Sequence, residues 1–228
     1  MKLLAAATVA LGLSFAGAAG AATITGLYNT GVDAGGVALP TFGGIDTHYS
    51  IIATDAPLFA LGSAITYEHP AYVDGDADSK WISGRDDGAT GSSSSHTTYR
   101  TTFSLTGLNP FTASISGFWG TDNEGEIFLN GVTTGIKLFG NVDGVLDGGD
   151  FGNFDHLTAF NISSGFVSGL NTLDFVILDT GPPSAMRVDN LAGSAATVVP
   201  EPATWALMIL GFGSAGAALR RRRGVAAA

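Results

Sequence analysis

A hairpin signal in the middle of the chain, Asn130-Gly131, places the strongest constraint on the fold. The pair separates residues 125–129 from residues 132–136, and both runs are rich in residues that favour strands. Asn-Gly is the preferred pair for a type I′ turn, because both central residues of that turn need φ > 0. The sequence therefore predicts two antiparallel strands joined by a two-residue turn.

The rest of the chain follows the same short-strand pattern. Residues 98–105 alternate, with Tyr99, Thr101, Phe103 and Leu105 on one face. The other strand candidates are bounded by Gly, Pro, Asn or Asp and cover residues 23–29, 48–53, 64–67, 111–119, 157–162, 170–178 and 186–191. Helical patterns are confined to the two chain ends, so we expect an all-β fold, a jelly-roll-like β-sandwich over residues 23–192.

The N-terminal residues 1–22 have the three parts of a secretory signal. Lys2 supplies the positive charge, residues 3–15 are apolar, and Ala19-Gly20-Ala21 is a small-residue cleavage site. We expect a signal helix that signal peptidase removes after Ala21 or Ala22.

The charge of the region between the two chain ends excludes one class of partner. Lys2 and the four C-terminal arginines are five of the 10 basic residues, and Glu201 is one of the 20 acidic residues. The region between keeps 19 acidic against 5 basic residues. Such a surface argues against nucleic acid, whose binding needs a basic patch. Cysteine is absent, so the core must be stable without disulfides and cysteine-based catalysis is excluded.

The C-terminal segment has three parts in order: Pro200-Glu201-Pro202, an apolar run over 203–219, and Arg220, Arg221, Arg222 and Arg223. The prolines fix φ and remove two donors, so the motif should stay extended. The run is uncharged and near the lower limit for spanning a bilayer, roughly 17–25 residues. The arginines would stop it on the cytoplasmic side. We therefore predict a transmembrane helix over 203–219, a small-residue linker over 193–199 and a tail over 224–228.

This segment resembles the PEP-CTERM sorting signal of Gram-negative bacteria, in the variant with Trp205-Ala206 after the motif. The resemblance implies an exosortase, a membrane transpeptidase, as partner, with cleavage near the motif and no span in the mature protein. It also implies export across the inner membrane, transient anchoring there, and delivery to the cell surface or the extracellular space. An ordinary C-terminal membrane anchor is the alternative.

Residues 117–123, 127–131 and 170–175 resemble the galactose-binding-like jelly rolls of carbohydrate-binding modules. The resemblance implies ligand binding by loops at one end, often with a structural calcium, although a fold does not fix a function. Aromatic platforms with a few polar groups would bind sugar. Trp81 with Arg85 is the favoured pair; Trp119 and Tyr99 are further candidates, although both lie in runs typical of a core.

Calcium is the predicted cofactor, in a structural role, because it prefers the oxygen ligands that loops of Asp and Asn supply. The candidate ligands form three groups: Asp74, Asp76 and Asp78; Asp122, Asn123 and Glu124; and Asp143, Asp147 and Asp150. None of them matches an EF-hand loop. The alternative is that Asp serves here as a turn former.

Catalytic motifs are missing from the sequence. The four histidines do not form HExxH, and GxSxG does not occur. We therefore expect a non-enzymatic surface or matrix protein of extracellular polysaccharide or biofilm, with a sandwich that binds polysaccharide. A secreted hydrolase acting on polysaccharide and an ice-binding protein are the alternatives.

Overall fold

The computed structural model describes residues 20–138, 153–198 and 202–225. Its contacts divide the chain into a β-unit, residues 21–197, and a second unit that contains the C-terminal helix. The predicted signal helix falls almost entirely on residues 1–19, outside this range.

The β-unit is built from eleven strands in the described residues, and they share one antiparallel sheet. The strands are β1 (Ala21–Thr23), β2 (Ile45–Thr54), β3 (Gly62–Thr66), β4 (Ile82–Ser83), β5 (Ser95–Ser104), β6 (Ser114–Asp122), β7 (Glu124–Leu129), β8 (Val132–Leu138), β9 (Thr158–Ile162), β10 (Leu170–Asp179) and β11 (Ala185–Ala196). A short 3₁₀ helix, Pro110–Thr112, connects β5 to β6.

The strand order is β8-β7-β10-β5-β2-β3-β4-β11-β6-β9, with β1 paired to β11 off this path. The sheet wraps so that its two halves face each other, and Trp119 of β6 lies 5.8 Å from Phe175 of β10, ring centre to ring centre. Phe160 of β9 meets the same ring at 6.4 Å. The expected all-β, sandwich-like fold is confirmed.

The alternating burial of residues along β5 shows which face of this strand packs into the core. Tyr99, Thr101 and Phe103 are buried on one face, as the period-two pattern predicts, and Leu105 follows them into the core. The outer face of the same strand carries Arg100, whose guanidinium binds both carboxylate oxygens of Asp174 on β10 at 2.6 Å. Asp174 lies directly opposite Arg100 in the strand register, so this pair fixes β5 against β10.

The predicted hairpin is confirmed. Asn130 and Gly131 have φ values of 53° and 77°, and they join β7 to β8. Both values are the positive ones that a type I′ turn needs.

Several elements differ from prediction, and residues 111–112, predicted within a strand, belong to the 3₁₀ helix. The first strand is β1, Ala21–Thr23, rather than 23–29, and its first two residues overlap the predicted signal peptide. Strand β11 continues to Ala196 through most of the predicted linker, because its small residues pair with β1 and β6. The two-residue strand β4 was not predicted, since it is too short to show a pattern.

The C-terminal helix α1 spans Pro202–Val225. No helix among residues 20–138, 153–198 and 202–225 is long and apolar enough to cross a membrane. The predicted transmembrane helix over 203–219 is therefore not supported.

Candidate functional site

The two strands at the ends of the sheet path, β8 and β9, line a common cleft, which we call the edge cleft. Each of these strands has one sheet neighbour in the described residues, β7 for β8 and β6 for β9. The cleft therefore lies where the wrapped sheet comes close to closing on itself. Its volume is about 310 Å³, at the lower end of the range for small-molecule sites, roughly 300–1,000 Å³.

The edge cleft combines an apolar floor with polar, uncharged walls. Its lining residues are Leu129, Val132, Thr133, Thr134, Ile136, Asn161, Ile162, Ser163, Ser164 and Gly165. Leu129 and Ile162 are buried core residues, whereas Asn161, Ser163 and Ser164 are exposed to solvent. No side chain in this lining carries a charge. Such a surface can accept hydrogen bonds from, and donate them to, a neutral ligand that also has apolar faces.

Two asparagines join the walls at one end of the edge cleft. The Asn130 amide donates to the Gly165 carbonyl at 3.0 Å and to Asn171 Oδ1 at 2.9 Å. Asn171 is fully buried, and its amide nitrogen donates to the carbonyls of Val167 and Gly169 at 2.9 Å each. The hairpin turn and the loop after β9 are therefore fixed to one another without an ion pair.

One polar wall residue is positioned from behind. The Thr133 hydroxyl donates to Glu126, the buried glutamate on β7. Glu126 in turn pairs with Lys137 of β8 at 3.5 Å. The opposite charges of Glu126 and Lys137 compensate each other next to the cleft, and neither side chain is part of its lining.

Both tryptophans predicted as sugar platforms are core residues. Trp81 and Trp119 expose 0% and 1% of their surface. Trp81 packs at 4.6 Å against the ring of Tyr72, and its Nε1 donates to the Val73 carbonyl at 2.8 Å. A buried ring has no free face for a sugar, so the platform prediction is wrong for both residues. Tyr99 is buried as well.

Arg85, predicted beside Trp81, is exposed and paired elsewhere. Its Nε and Nη2 bind the two carboxylate oxygens of Asp87 at 2.9 and 3.0 Å. The hydrogen bond from Arg85 lowers the pKa of Asp87 to about 2. The structure therefore does not bring Trp81 and Arg85 together as one site.

The first predicted calcium group binds an arginine instead. Arg187 on β11 is buried, and its guanidinium donates to Asp76 Oδ2 at 2.7 Å, to the Asp74 carbonyl at 2.6 Å and to Ser79 Oγ at 2.8 Å. Asp76 Oδ1 accepts from the backbone amide of Asp78 at 2.9 Å. Burial raises the pKa of Asp76, but the hydrogen bond from the Asp78 amide and the positive charge of Arg187 outweigh it. The pKa of Asp76 therefore lies below its ordinary value.

In the second predicted calcium group, the side chains of Asp122 and Asn123 accept hydrogen bonds from other residues of the protein. Asp122 Oδ2 accepts from the Tyr72 hydroxyl at 2.7 Å, and Asn123 Oδ1 accepts from the Thr180 amide and hydroxyl at 2.8 Å each. Burial, with the negative charge of Asp179, raises the pKa of Asp122 to about 7. Glu124 is fully buried beside them.

The described residues contain no group of three or more acidic or histidine side chains placed to hold a metal ion. The side chains of Asp76, Asp122 and Asn123 accept hydrogen bonds from other residues of the protein, whereas Asp74 accepts one through its backbone carbonyl. The third predicted group, Asp143, Asp147 and Asp150, lies outside the described residues, and calcium stays a prediction there.

Sequence reasoning missed the edge cleft because its residues are ordinary Thr, Ser and Asn. One signal was present: residues 161–165 read Asn-Ile-Ser-Ser-Gly, a polar turn next to an edge strand. What could not be seen is that this turn meets β8, which is distant in sequence.

The sorting residues lie partly outside the described range. Pro200 and Glu201 are outside it, while Pro202 is the first residue of α1, a position that suits proline. The backbones of Trp205, Ala206 and Arg220, Arg221, Arg222 and Arg223 are helical.

Comparison with known proteins identifies the C-terminal segment. Residues 198–223 match the PEP-CTERM protein-sorting motif. No curated protein matches the chain. A solved structure, "Structure of CBM35 from Paenibacillus barcinonensis", is similar over 66% of this chain and 94% of its own, with 14% identity and a TM-score of 0.32. A TM-score of 0.32 is too low to support any conclusion about the ligand of this chain. The sorting motif does establish one property: the chain is an exported protein whose C-terminal signal addresses it to an exosortase.

Proposed function

We propose that the β-unit is a non-catalytic module that binds a neutral polysaccharide in the edge cleft. The observation that carries this proposal is the uncharged lining, with Asn161, Ser163 and Ser164 exposed above the apolar side chains of Leu129 and Ile162. A sugar ring has hydroxyls at its rim and C–H groups on its faces, so it needs both kinds of contact.

The surroundings support a neutral ligand over a charged one. The region between the chain ends has 19 acidic and 5 basic residues, so an anionic polymer would be repelled by most of the surface. A cation would find its best partners outside the cleft, since the lining itself has no carboxylate. A neutral polymer is not repelled by the acidic surface and does not need a carboxylate in the lining.

The hydrolase alternative has less support. Asp122 and Asp179, the neighbouring carboxyl groups with raised pKa, are 5% and 0% exposed. A general acid must reach the glycosidic oxygen within hydrogen-bond distance, which a buried carboxyl cannot do for a polymer. We therefore propose a structural or adhesive role at the cell surface or in the extracellular matrix, after processing by exosortase.

A glycan array followed by calorimetry would test this function. Neutral glycans should bind, and Asn161→Ala combined with Ser163→Ala should weaken binding by about tenfold, because two hydrogen bonds are lost. Ser93→Ala is the matched control, since Ser93 is an exposed serine in the loop between β4 and β5, outside the lining. Equal affinity in the double variant would contradict the proposed cleft, and exclusive binding of charged glycans would contradict the ligand class.

A further inference from the structure

The β-unit continues as folded structure up to the first residue of the sorting motif. The last residue of β11, Ala196, donates its amide to Thr112 Oγ1 at 2.8 Å and accepts from the Asn109 amide at 2.7 Å. Thr197 forms a β-bridge with Leu108. The motif match begins at residue 198, directly after this bridge.

This geometry limits how far an enzyme bound to the motif can be from the fold. Three residues lead from Thr197 to Pro200, and a fully extended chain covers at most about 11 Å over that length. The end of β11 is bonded to the connection between β5 and β6, residues 108–112, which we call the processing loop. An enzyme that holds Pro200-Glu201-Pro202 is therefore tethered within reach of this loop.

The processing loop is built to project one aromatic side chain. Asn109 caps the 3₁₀ helix by accepting from the Phe111 amide at 3.0 Å, and its carbonyl accepts from the Thr112 hydroxyl at 2.8 Å. The loop is thus held by its own hydrogen bonds and by β11. Phe111 is nevertheless 93% exposed, the largest fraction among the exposed large hydrophobic side chains of the described residues. Exposed aromatic residues on rigid supports are typical anchors of interfaces.

The surface around Phe111 also differs in charge from the rest of the β-unit. The segments that pair or bond with one another at this end of β11 are residues 21–24, 105–116 and 191–198, and none contains Asp, Glu, Lys, Arg or His. An uncharged end on an acidic protein fits a partner whose own contact surface is apolar, as expected of a membrane-embedded enzyme.

From the short tether, the exposed aromatic ring and the uncharged surface, we propose that the processing loop is a docking surface for the sorting enzyme, with Phe111 as its anchor. This inference rests on the exosortase address and is independent of sugar binding. The enzyme would then read a folded feature of its substrate in addition to the linear motif.

Processing kinetics in a Gram-negative host that contains an exosortase would test the proposal. The processed fraction of the exported full chain is followed by pulse-chase and intact mass. Phe111→Ser should slow processing by about fivefold or more, the size expected for an interface anchor. Phe42→Ser is the matched control because Phe42 is also exposed, at 59%, but lies in another loop, and it should be processed at the wild-type rate.

Two further variants distinguish a failure of the docking proposal from a failure of the exosortase address. An insertion of about 20 Gly and Ser residues between Thr197 and Val198 releases the tether, so the effect of Phe111→Ser should largely disappear. Joint replacement of Pro200 and Pro202 by Ala should abolish processing. Equal rates for Phe111→Ser and wild type, or an undiminished Phe111 effect after the insertion, would overturn the docking surface. The docking surface would also be overturned if Phe111→Ser left processing unchanged and weakened only the binding to phosphatidylethanolamine–phosphatidylglycerol vesicles. A wild-type chain that is never processed would remove the exosortase address and this inference together.

Discussion

Replacement of Asp122 by Asn should stabilise the protein at neutral and alkaline pH. Asp122 is buried, and its pKa is about 7 in the folded protein against an ordinary value of 3.8. The folded state therefore favours the protonated carboxyl. Its contribution to stability is fully present below pH 3.8 and is lost as the pH rises to about 7.

The size of this loss follows from the interval between the two pKa values. At about 1.36 kcal/mol per pKa unit, the interval corresponds to about 4 kcal/mol, of which about 2 kcal/mol is lost between pH 5 and pH 7. Asparagine keeps an oxygen that can accept the hydrogen bond from Tyr72, and it has no charge to bury. The free energy of unfolding of Asp122→Asn should therefore exceed that of the wild type by about 3 to 4 kcal/mol at pH 8.

Urea denaturation at pH 5, 6.5 and 8 would measure this difference. The fluorescence of the buried Trp81 and Trp119 reports unfolding. Asp46, whose pKa is also raised by burial, contributes equally to both proteins, whereas the repulsion between Asp179 and the Asp122 carboxylate is removed in the variant and adds to the difference. Asp87→Asn is the control, because that exposed carboxyl has a pKa of about 2 and stays ionised throughout this pH range. A variant whose stability is equal to or below that of the wild type at pH 8 would refute the reasoning.

Substitutions at three further positions test the fold. Arg187→Met should cost about 3–5 kcal/mol in urea denaturation, because it removes the cation that binds the 74–79 loop and leaves the buried acceptors without it; a cost below 1 kcal/mol would contradict that role. Asn130→Gly should cost about 1–2 kcal/mol, and Asn130→Ala about 1 kcal/mol more, because only alanine adds strain at φ 53°; equal costs would argue against the turn. Gly84→Ala should lower stability by about 1–3 kcal/mol, since the new methyl group would lie 2.3 Å from the ring of Phe59; unchanged stability would contradict that close approach.

Local chemistry made much of the fold predictable. The Asn130-Gly131 turn and the alternation of Tyr99, Thr101 and Phe103 depend on neighbouring residues only, and both are found as predicted. The extension of β11 through Gly193 to Ala196 could not be predicted, because small residues show no pattern until β1 and β6 supply their partners.

The candidate site was less predictable than the fold. Trp81 looked available for sugar because it stands beside an acidic loop in the sequence. The structure buries it against Tyr72, a contact that the sequence does not reveal. Asp74, Asp76 and Asp78 suggested a cation, and a cation is bound there, but it is the side chain of Arg187, more than 100 residues away. The edge cleft depends on how the sheet wraps, which no single segment encodes.

The position of β11 has a consequence for when the domain can fold. This strand lies between β4 and β6 and also pairs with β1, yet it is the last strand to leave the ribosome before the sorting motif. Without it, β6 and β9 are cut off from the rest of the sheet, so the growing chain has no complete sheet to form. Pairs such as β1 with β11 join residues far apart in sequence, and such contacts form slowly. The complete sheet can therefore form only after the last of these strands has been synthesised.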